Sequence, residues 1–442
     1  MRLINRRKCS NRVAFFFISL LVTPSVFSFE LGVSTHMRNY PRANEFYLDL
    51  MKKDGFNSVR FDYDWSHVEE NKGVYEAGQY VARNDDVINN ELSKYGFSGL
   101  VILGYGNNLY NQPKGYPRTG RATDYPRTPE AIAAFANYAY WVASRFKGKV
   151  KYYEVWNEWL YGTGNIAKPL DIPPPEVFYQ LVKQTSAAIR KADPNAIILT
   201  GSFNPITQSS IDWFDSLIRL GILDEINGIA LHPYGYRAAD KNLGTPEGNL
   251  AAIDNYERHL KNTFGKEVPL YITEIGVPNY SGQGGLDFNS SAQFVVKYTL
   301  MAKARPYIKG VWWYDLINDG TNPRVNEHNF GLYNANGSAK PAAIALQRIS
   351  AFSTKYKVKD YQSSQDGRVK IEFVNGDESA LVFWRKASDD VNKTSMSFMP
   401  SLVQKNKAEV QPFIEMKTTD SYDIDSITPI IIRSKGDVKS PW

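Results

Sequence analysis

Residues 152–159 read YYEVWNEW, and the rest of the chain can be interpreted outward from them. The first half of this stretch is apolar and aromatic, which is typical of a buried β-strand. It ends in Asn157-Glu158, so a carboxylate stands where the strand ends. A second stretch, 270–276 (LYITEIG), repeats the pattern with Glu274. Because a buried ionisable group is costly unless it is paired, both glutamates are candidate functional residues.

Short apolar runs alternate with helical patterns between residues 29 and 352. The runs are 31–34, 58–61, 100–103, 150–155, 196–200, 228–231, 269–273 and 310–314. Eight such repeats predict parallel strands with helical crossovers, most simply a (β/α)8 TIM barrel of the α/β class spanning 29–352. A doubly wound open sheet is the alternative, but no glycine-rich phosphate fingerprint follows the first run.

Two helices have readable ends. Residues 128–148 are expected to form one, with Thr128 as the N-cap and Pro129 in the first turn. Residues 176–192 are expected to form another. Long loops follow the strands, among them 104–127. Such loops lie at the C-terminal face of a barrel, so we expect them to wall a cleft for an extended substrate.

The pattern changes to all-β after residue 352. The predicted strands are 369–373, 381–385, 413–417 and 429–433. Asn375-Gly376 predicts a hairpin turn between the first two. Residues 353–442 are therefore predicted to form a sandwich-like β module. An independent sugar-binding domain is the alternative, which the link at 353–358 disfavours because it is not a flexible Pro/Gly/Ser-rich spacer.

The N-terminus has the features of a secretion signal. Its basic start precedes the apolar run 13–22, and 26–28 (VFS) resembles a cleavage site. A membrane span needs ~20 apolar residues, and this run is about half as long. We therefore expect residues 1–28 to be a signal peptide and the protein to be exported, periplasmic or secreted. An uncleaved anchor, which would attach the chain to a membrane, is the alternative.

Charge and cysteine content narrow the choice of partners. Residues 1–28 hold five basic and no acidic residues, so the net charge of +6 falls to +1 without them. This gives no argument for a nucleic-acid partner. The only cysteine, Cys9, lies in the expected signal, so no disulfide or cysteine metal site is expected. The histidines show no metal-ligand spacing. We expect no metal, no cofactor and a monomer.

The two glutamates suit the hydrolysis of a glycosidic bond. That reaction needs one protonated carboxyl at the leaving oxygen and one ionised carboxylate at the anomeric carbon. Glu158 and Glu274 end the fourth and seventh runs, and in a closed barrel these strand ends can face each other across the mouth. Ionisation of one raises the pKa of the other and keeps it protonated. The alternative is that each glutamate only starts a loop or caps a helix.

The same residues carry a resemblance to a known group of enzymes. Residues 156–158 (WNE) and 273–276 (TEIG) resemble the acid/base and nucleophile motifs of clan A retaining glycoside hydrolases. The β module makes family 39 and the related bacterial exopolysaccharide endoglycosidases most similar. The resemblance implies that Glu158 is the general acid/base and Glu274 the nucleophile. It implies that Asn157 binds the 2-hydroxyl of the sugar.

The resemblance extends to the second and sixth runs. Arg60 is similar to an arginine that supports the nucleophile, although a buried ion pair with Asp62 is the alternative. Residues 232–234 (HPY) resemble a His-x-Tyr motif. This implies that Tyr234 donates a hydrogen bond to the nucleophile and that His232 lies in the site. A core histidine is the alternative for His232.

Two further residues complete the predicted substrate site. On the eighth run, Trp313 is expected to form an aromatic platform beneath the sugar, because strand alternation allows only one of the two adjacent tryptophans to face the cleft. His36, at the end of the first run, is expected to contact the sugar.

These observations predict an exported retaining glycoside hydrolase. Its expected substrate is a polysaccharide or oligosaccharide, cleaved internally by double displacement. Retention requires carboxyls ~5–5.5 Å apart, and inversion requires roughly 6.5–9.5 Å. A non-catalytic carbohydrate-binding or polysaccharide-assembly protein and a transglycosylase are the alternatives.

Overall fold

The computed structural model describes residues 29–111, 124–166, 169–386, 397–398, 409–412, 422–423 and 428–435. The expected signal peptide and the predicted strand at 413–417 lie outside the described residues.

Eight parallel strands form the centre of the molecule. They are β1 (Glu30–Ser34), β2 (Ser58–Asp64), β3 (Ser98–Gly104), β4 (Val150–Val155), β5 (Ile197–Leu199), β6 (Ile229–Leu231), β7 (Leu270–Ile275) and β8 (Ile308–Trp313). The sheet runs β5-β4-β3-β2-β1-β8-β7-β6. Parallel bridges from Leu199 to Gly228 and from Phe203 to Leu231 join its two edges. The predicted TIM barrel is confirmed, and the open-sheet alternative is wrong.

Helices surround the barrel. They are α1 (Asn44–Asp54), α2 (Trp65–Val68), α3 (Ala82–Asp86), α4 (Leu92–Tyr95), α5 (Pro129–Arg145), α6 (Pro175–Ala192), α7 (Gln208–Arg219), α8 (Pro246–Phe264), α9 (Phe288–Lys303) and α10 (Pro341–Thr354). The start of α5 is as predicted, since the Thr128 hydroxyl accepts a hydrogen bond from the Ala131 N–H. This cap satisfies one of the free N–H groups of the first turn.

The barrel interior is divided into an apolar floor and a polar layer above it. Tyr152, Tyr271 and Trp312 belong to the buried apolar cluster of the floor. Strand alternation places residue i+2 on the same face one layer higher, so Glu154 follows Tyr152 inward. Arg60 of β2 meets Glu154 there, with Nε 3.0 Å from Oε2. The floor closes the barrel beneath the polar layer and leaves the C-terminal end open.

The C-terminal part is all-β, as predicted. Its strands are β9 (Lys357–Ser363), β10 (Arg368–Asn375), β11 (Glu378–Arg385), β12 (Ser397–Phe398), β13 (Glu409–Pro412), β14 (Tyr422–Asp423) and β15 (Ile430–Lys435). Five of them form the antiparallel sheet β13-β15-β11-β10-β9, and β12 pairs with β14. Gly376, in the predicted hairpin turn, has a φ of 64°, which glycine adopts without steric cost.

The β module contacts the barrel through side chains. The Trp384 indole N–H donates to Glu247 Oε1 of α8 at 2.7 Å. The Phe373 ring packs against Phe352 of α10 with centroids 5.3 Å apart. The predicted boundary after residue 352 falls within the last turn of α10. Among the described residues, no helix is both long and apolar enough for a membrane span.

Candidate active site

A cleft opens at the C-terminal ends of the barrel strands, with a cavity volume of about 420 Å³. The residues that line it are Ser34, Thr35, His36, Arg60, Asp62, Ile102, Tyr105, Asn157, Glu158, Thr163, Tyr234, Tyr236, Glu274, Tyr314, Glu327 and Phe330. Carboxyl, hydroxyl and aromatic groups dominate this surface. Such groups bind neutral sugars by hydrogen bonds and ring contacts.

The two candidate glutamates face each other across the cleft. One carboxyl oxygen of Glu158 lies within 4.8 Å of one of Glu274. Glu274 belongs to β7, whereas Glu158 follows β4 in a strained turn, where Trp156 and Glu158 have φ values of 72° and 51°. Ser202 accepts a hydrogen bond from the Glu158 N–H at 3.1 Å. Left-handed backbone at two bulky residues costs free energy and is found at functional sites.

Two donors hold the Glu274 carboxylate. Arg60 Nη1 donates to its Oε2 at 2.7 Å, and the Tyr234 hydroxyl donates to its Oε1 at 2.7 Å. The two donors engage one oxygen of the carboxylate each and fix its orientation. Arg60 does not pair with Asp62, which instead accepts a hydrogen bond from Tyr105 at 3.0 Å. Glu274 is therefore held in a fixed orientation in the cleft lining.

Glu158 has a different environment. Burial raises the pKa of its carboxyl, and the charge of Arg60 and a hydrogen bond from Thr163 only partly oppose this. His232 Nδ1 lies 2.9 Å from Glu158 Oε1. Burial lowers the pKa of His232 to about 4, so its imidazole is neutral at pH 7. Because Arg60 Nη2 lies 3.3 Å from Nε2 and can only donate, the imidazole proton is assigned to Nδ1, facing Glu158.

Asn157 is fixed beside this pair. Its Oδ1 accepts hydrogen bonds from Arg60 Nη2 at 2.8 Å and from the Ser202 hydroxyl at 3.3 Å. Because both neighbours donate to the oxygen, the amide nitrogen is oriented as the donor available to a ligand. A carboxyl with a raised pKa that faces a second carboxyl is suited to acid/base chemistry.

Comparison with known proteins identifies the family of this chain. The family model described as cellulase (glycosyl hydrolase family 5) matches residues 25–316. The chain belongs to glycosyl hydrolase family 5. The prediction of a clan A glycoside hydrolase is confirmed, and the protein is an O-glycosyl hydrolase with a carbohydrate substrate. No curated protein sequence matches the chain.

Solved structures share the fold of this family 5 chain. A family 39 glycoside hydrolase from the gut symbiont Bacteroides cellulosilyticus WH2 has a TM-score of 0.72 at 22% identity, over 92% of this chain and 81% of that one. A GH30 endoxylanase from Clostridium papyrosolvens C71 has a TM-score of 0.59 at 12% identity, over 92% and 97%. The exo-beta-1,4-mannosidase Op5Man5 from Opitutaceae bacterium strain TAV5 has a TM-score of 0.52 at 18% identity, over 74% of this chain and 60% of that one.

The prediction that Trp313 forms the sugar platform of this family 5 enzyme is wrong. Its side chain faces α9, where the indole N–H donates to Thr299 Oγ1 at 3.2 Å and the ring packs against Tyr298. Only 1% of it is exposed. Trp312 does face inward, but it lies in the barrel floor and donates to Ser58 Oγ at 3.0 Å. The aromatic wall of the cleft consists instead of Tyr105, Tyr234, Tyr236, Tyr314 and Phe330.

His36 lies in the cleft wall, and two acidic residues that the sequence reasoning missed lie next to it. Its Nδ1 is 2.9 Å from Asp319 Oδ1 and 3.8 Å from Asp315 Oδ2. Both aspartates follow β8, and His36 follows β1. Glu154 was missed as well, although a single acidic residue on the inward face of an apolar strand was a signal that could have found it.

Proposed function

We propose that this family 5 enzyme is a retaining glycoside hydrolase in which Glu274 is the nucleophile and Glu158 the general acid/base. The observation that carries the proposal is the approach of the two carboxyls, with one oxygen of each within 4.8 Å of the other. Retaining enzymes hold the two carboxyls ~5–5.5 Å apart, whereas inverting enzymes leave roughly 6.5–9.5 Å for a water molecule. The observed separation supports a direct attack by Glu274.

In the first step, Glu274 attacks the anomeric carbon. A bond forms between its carboxylate oxygen and that carbon, while the bond to the leaving oxygen breaks and Glu158 transfers its proton to that oxygen. Glu158, whose pKa is raised by burial, is suited to be the protonated partner. Arg60 and Tyr234 each donate a hydrogen bond to one oxygen of Glu274 and orient it. The product of this step is a covalent glycosyl–enzyme.

In the second step, Glu158 removes a proton from water, which attacks the same carbon and releases Glu274. Two inversions restore the original anomeric configuration. We propose that Asn157 donates to the sugar 2-hydroxyl, since its oxygen is already occupied by Arg60 and Ser202. A contact there strengthens as positive charge develops on the sugar ring.

We further propose that the enzyme is exported through residues 1–28 and cleaves a polysaccharide internally, with a bacterial exopolysaccharide as the substrate class. The open cleft at the barrel mouth supports internal cleavage, because a chain can lie across it. Size-exclusion analysis of early products tests this point. Internal cleavage gives a rapid fall in mean chain length. Release of monosaccharide alone, with the polymer length unchanged, would contradict it.

The first experiment is incubation with a panel of bacterial exopolysaccharides and plant β-glycans. Wild type is compared with Glu274→Gln, Glu158→Gln and the matched control Glu130→Gln, an exposed glutamate that pairs with Lys72 on the surface. The two cleft variants should lose sugar release, and the control should retain it. Unchanged activity in Glu274→Gln would favour a binding or polysaccharide-assembly role. Longer oligosaccharides formed at high substrate concentration would indicate transglycosylation through the same intermediate.

A further inference from the structure

A second cluster of ionisable side chains lies in the cleft wall, where the loops after β1 and β8 meet. It consists of His36, Asp315 and Asp319, which we call the β1–β8 cluster. One potential ligand atom of each lies within 4.8 Å of those of the other two. The pairing of β1 with β8 closes the barrel here and brings together residues that are about 280 positions apart in sequence.

Asp315 is the unusual member of the cluster. Its side chain is completely buried, and neither carboxyl oxygen has a hydrogen-bond partner among the described residues. Lys340 acts on it only at a distance, because its ammonium donates to Asn318 Oδ1 at 2.8 Å and to the Asn329 carbonyl at 3.1 Å. A buried carboxyl without hydrogen bonds is strongly unfavourable. A bound cation would remove this cost by coordinating the carboxylate.

We propose that the β1–β8 cluster binds one divalent transition-metal cation such as Zn²⁺. An imidazole nitrogen with two carboxylate oxygens is a donor set that suits Zn²⁺. Ligand atoms on a tetrahedral Zn²⁺ lie roughly 3.4 Å apart. The distances from His36 Nδ1 to Asp315 and Asp319 are 3.8 and 2.9 Å, and the shorter contact is a hydrogen bond that the cation would replace. The negative charges of the Asp315 and Asp319 carboxylates would balance the +2 charge of the cation.

The exposure of the cluster permits a fourth ligand. Side chains of His36 and Asp319 are 22% and 28% exposed, so water or a sugar hydroxyl can reach the cation from the cleft. Ca²⁺ suits the site less well, because it takes 6–8 oxygen ligands and the cluster offers a nitrogen. The cation would link the loops after β1 and β8, and would fix His36 against the edge of the Tyr314 ring, 5.7 Å away.

The candidate catalytic residues are a poorer cation site, although Glu158, His232 and Glu274 also lie within 4.8 Å of one another. Arg60 reaches Glu274 at 2.7 Å and His232 at 3.3 Å. Its guanidinium is permanently charged, so it repels a second cation. No such group occupies the β1–β8 cluster at hydrogen-bond distance within the described part of the chain. The cluster and the proposed catalytic pair consist of different side chains. Cation binding and hydrolysis can therefore be tested, and can fail, independently.

The test is calorimetric titration of the EDTA-treated full chain, without a histidine tag, with ZnCl₂. We expect about one equivalent to bind. His36→Gln and Asp319→Asn should weaken binding about tenfold or more, since even residues behind metal ligands contribute 10–100-fold. His259→Gln is the matched control, because His259 lies beside one aspartate, Asp215, at 2.9 Å and outside the cleft. It should bind as wild type does, and so should Glu274→Gln.

Several results would overturn the site. They are the absence of saturable binding, equal affinity in wild type and His36→Gln, loss of binding in Glu274→Gln, and tighter binding of Ca²⁺ than of Zn²⁺. Asp315→Asn should also weaken binding, but it changes a buried residue. If that variant does not fold, the variants of the partly exposed His36 and Asp319 still test the site. As a second readout, Zn²⁺ should raise the Tm of wild type and of His259→Gln, but not that of His36→Gln.

Discussion

Arg60 contributes both to the stability of the barrel and to its proposed chemistry, so replacing it with methionine should impair both. The guanidinium pairs with the buried Glu154 and with Glu274. Removing it leaves Glu154 as an uncompensated buried charge, which costs about 3–5 kcal/mol of unfolding free energy. It also removes a charge-assisted hydrogen bond to Glu274, worth about 1.5–3 kcal/mol. If that bond is realised in the transition state, kcat/KM should fall roughly 10- to 150-fold.

The double variant Arg60→Met/Glu154→Gln distinguishes these effects. It removes both charges of the buried pair, so urea unfolding should show most of the lost stability restored. Sugar-release assays should still show the low kcat/KM, because Tyr234 is the only remaining hydrogen-bond donor to Glu274 among the described residues. A single variant as stable as wild type, or a double variant with full activity, would refute this reasoning. If Arg60→Met alone does not fold, the double variant still reports the loss of activity.

Three other predictions test separate parts of the site. Because burial raises the pKa of Glu158 in the folded state, the fold loses stability as the pH rises from the unfolded-state pKa through the folded-state pKa. Glu158→Gln should therefore exceed wild type in urea stability at pH 7, and the two should converge at pH 3. A difference that does not change with pH would contradict the assignment. Tyr234→Phe should lower kcat/KM roughly 10- to 150-fold by removing a hydrogen bond to Glu274, whereas Tyr236→Phe, also in the cleft, should change it far less. Trp313→Phe should lower the unfolding free energy by about 1–3 kcal/mol and leave KM unchanged. A large rise in KM would indicate instead that Trp313 contacts the substrate.

The fold could be predicted because each barrel strand is a separate apolar run. The expected run 150–155 is β4 as observed, and 269–273 differs from β7 only at its ends. In a closed barrel of parallel strands, the C-terminal ends of all strands lie at one rim. The predicted barrel therefore already places Glu158 and Glu274 on the same side of the molecule. Knowing which strands end in a carboxylate was enough to place the pair in one cleft.

What the sequence could not decide depends on packing. Strand alternation sends Trp312 and Trp313 to opposite faces but does not say at which depth of the barrel the inward one lies. Trp312 fills the floor, so neither tryptophan reaches the cleft. The β1–β8 cluster was missed because His36 is far in sequence from Asp315 and Asp319 and meets them only through barrel closure. In contrast, alternation was enough to indicate that Glu154 faces the barrel interior, where a buried carboxylate needs a cationic partner.

The central claim is that Glu274 attacks the anomeric carbon directly while Glu158 supplies the proton. Proton NMR of the first product released from a substrate found in the polysaccharide panel tests it most directly. We predict that the new reducing end initially has the same anomeric configuration as the bond cleaved, and only later mutarotates. An initial product of the opposite configuration would contradict the double-displacement account.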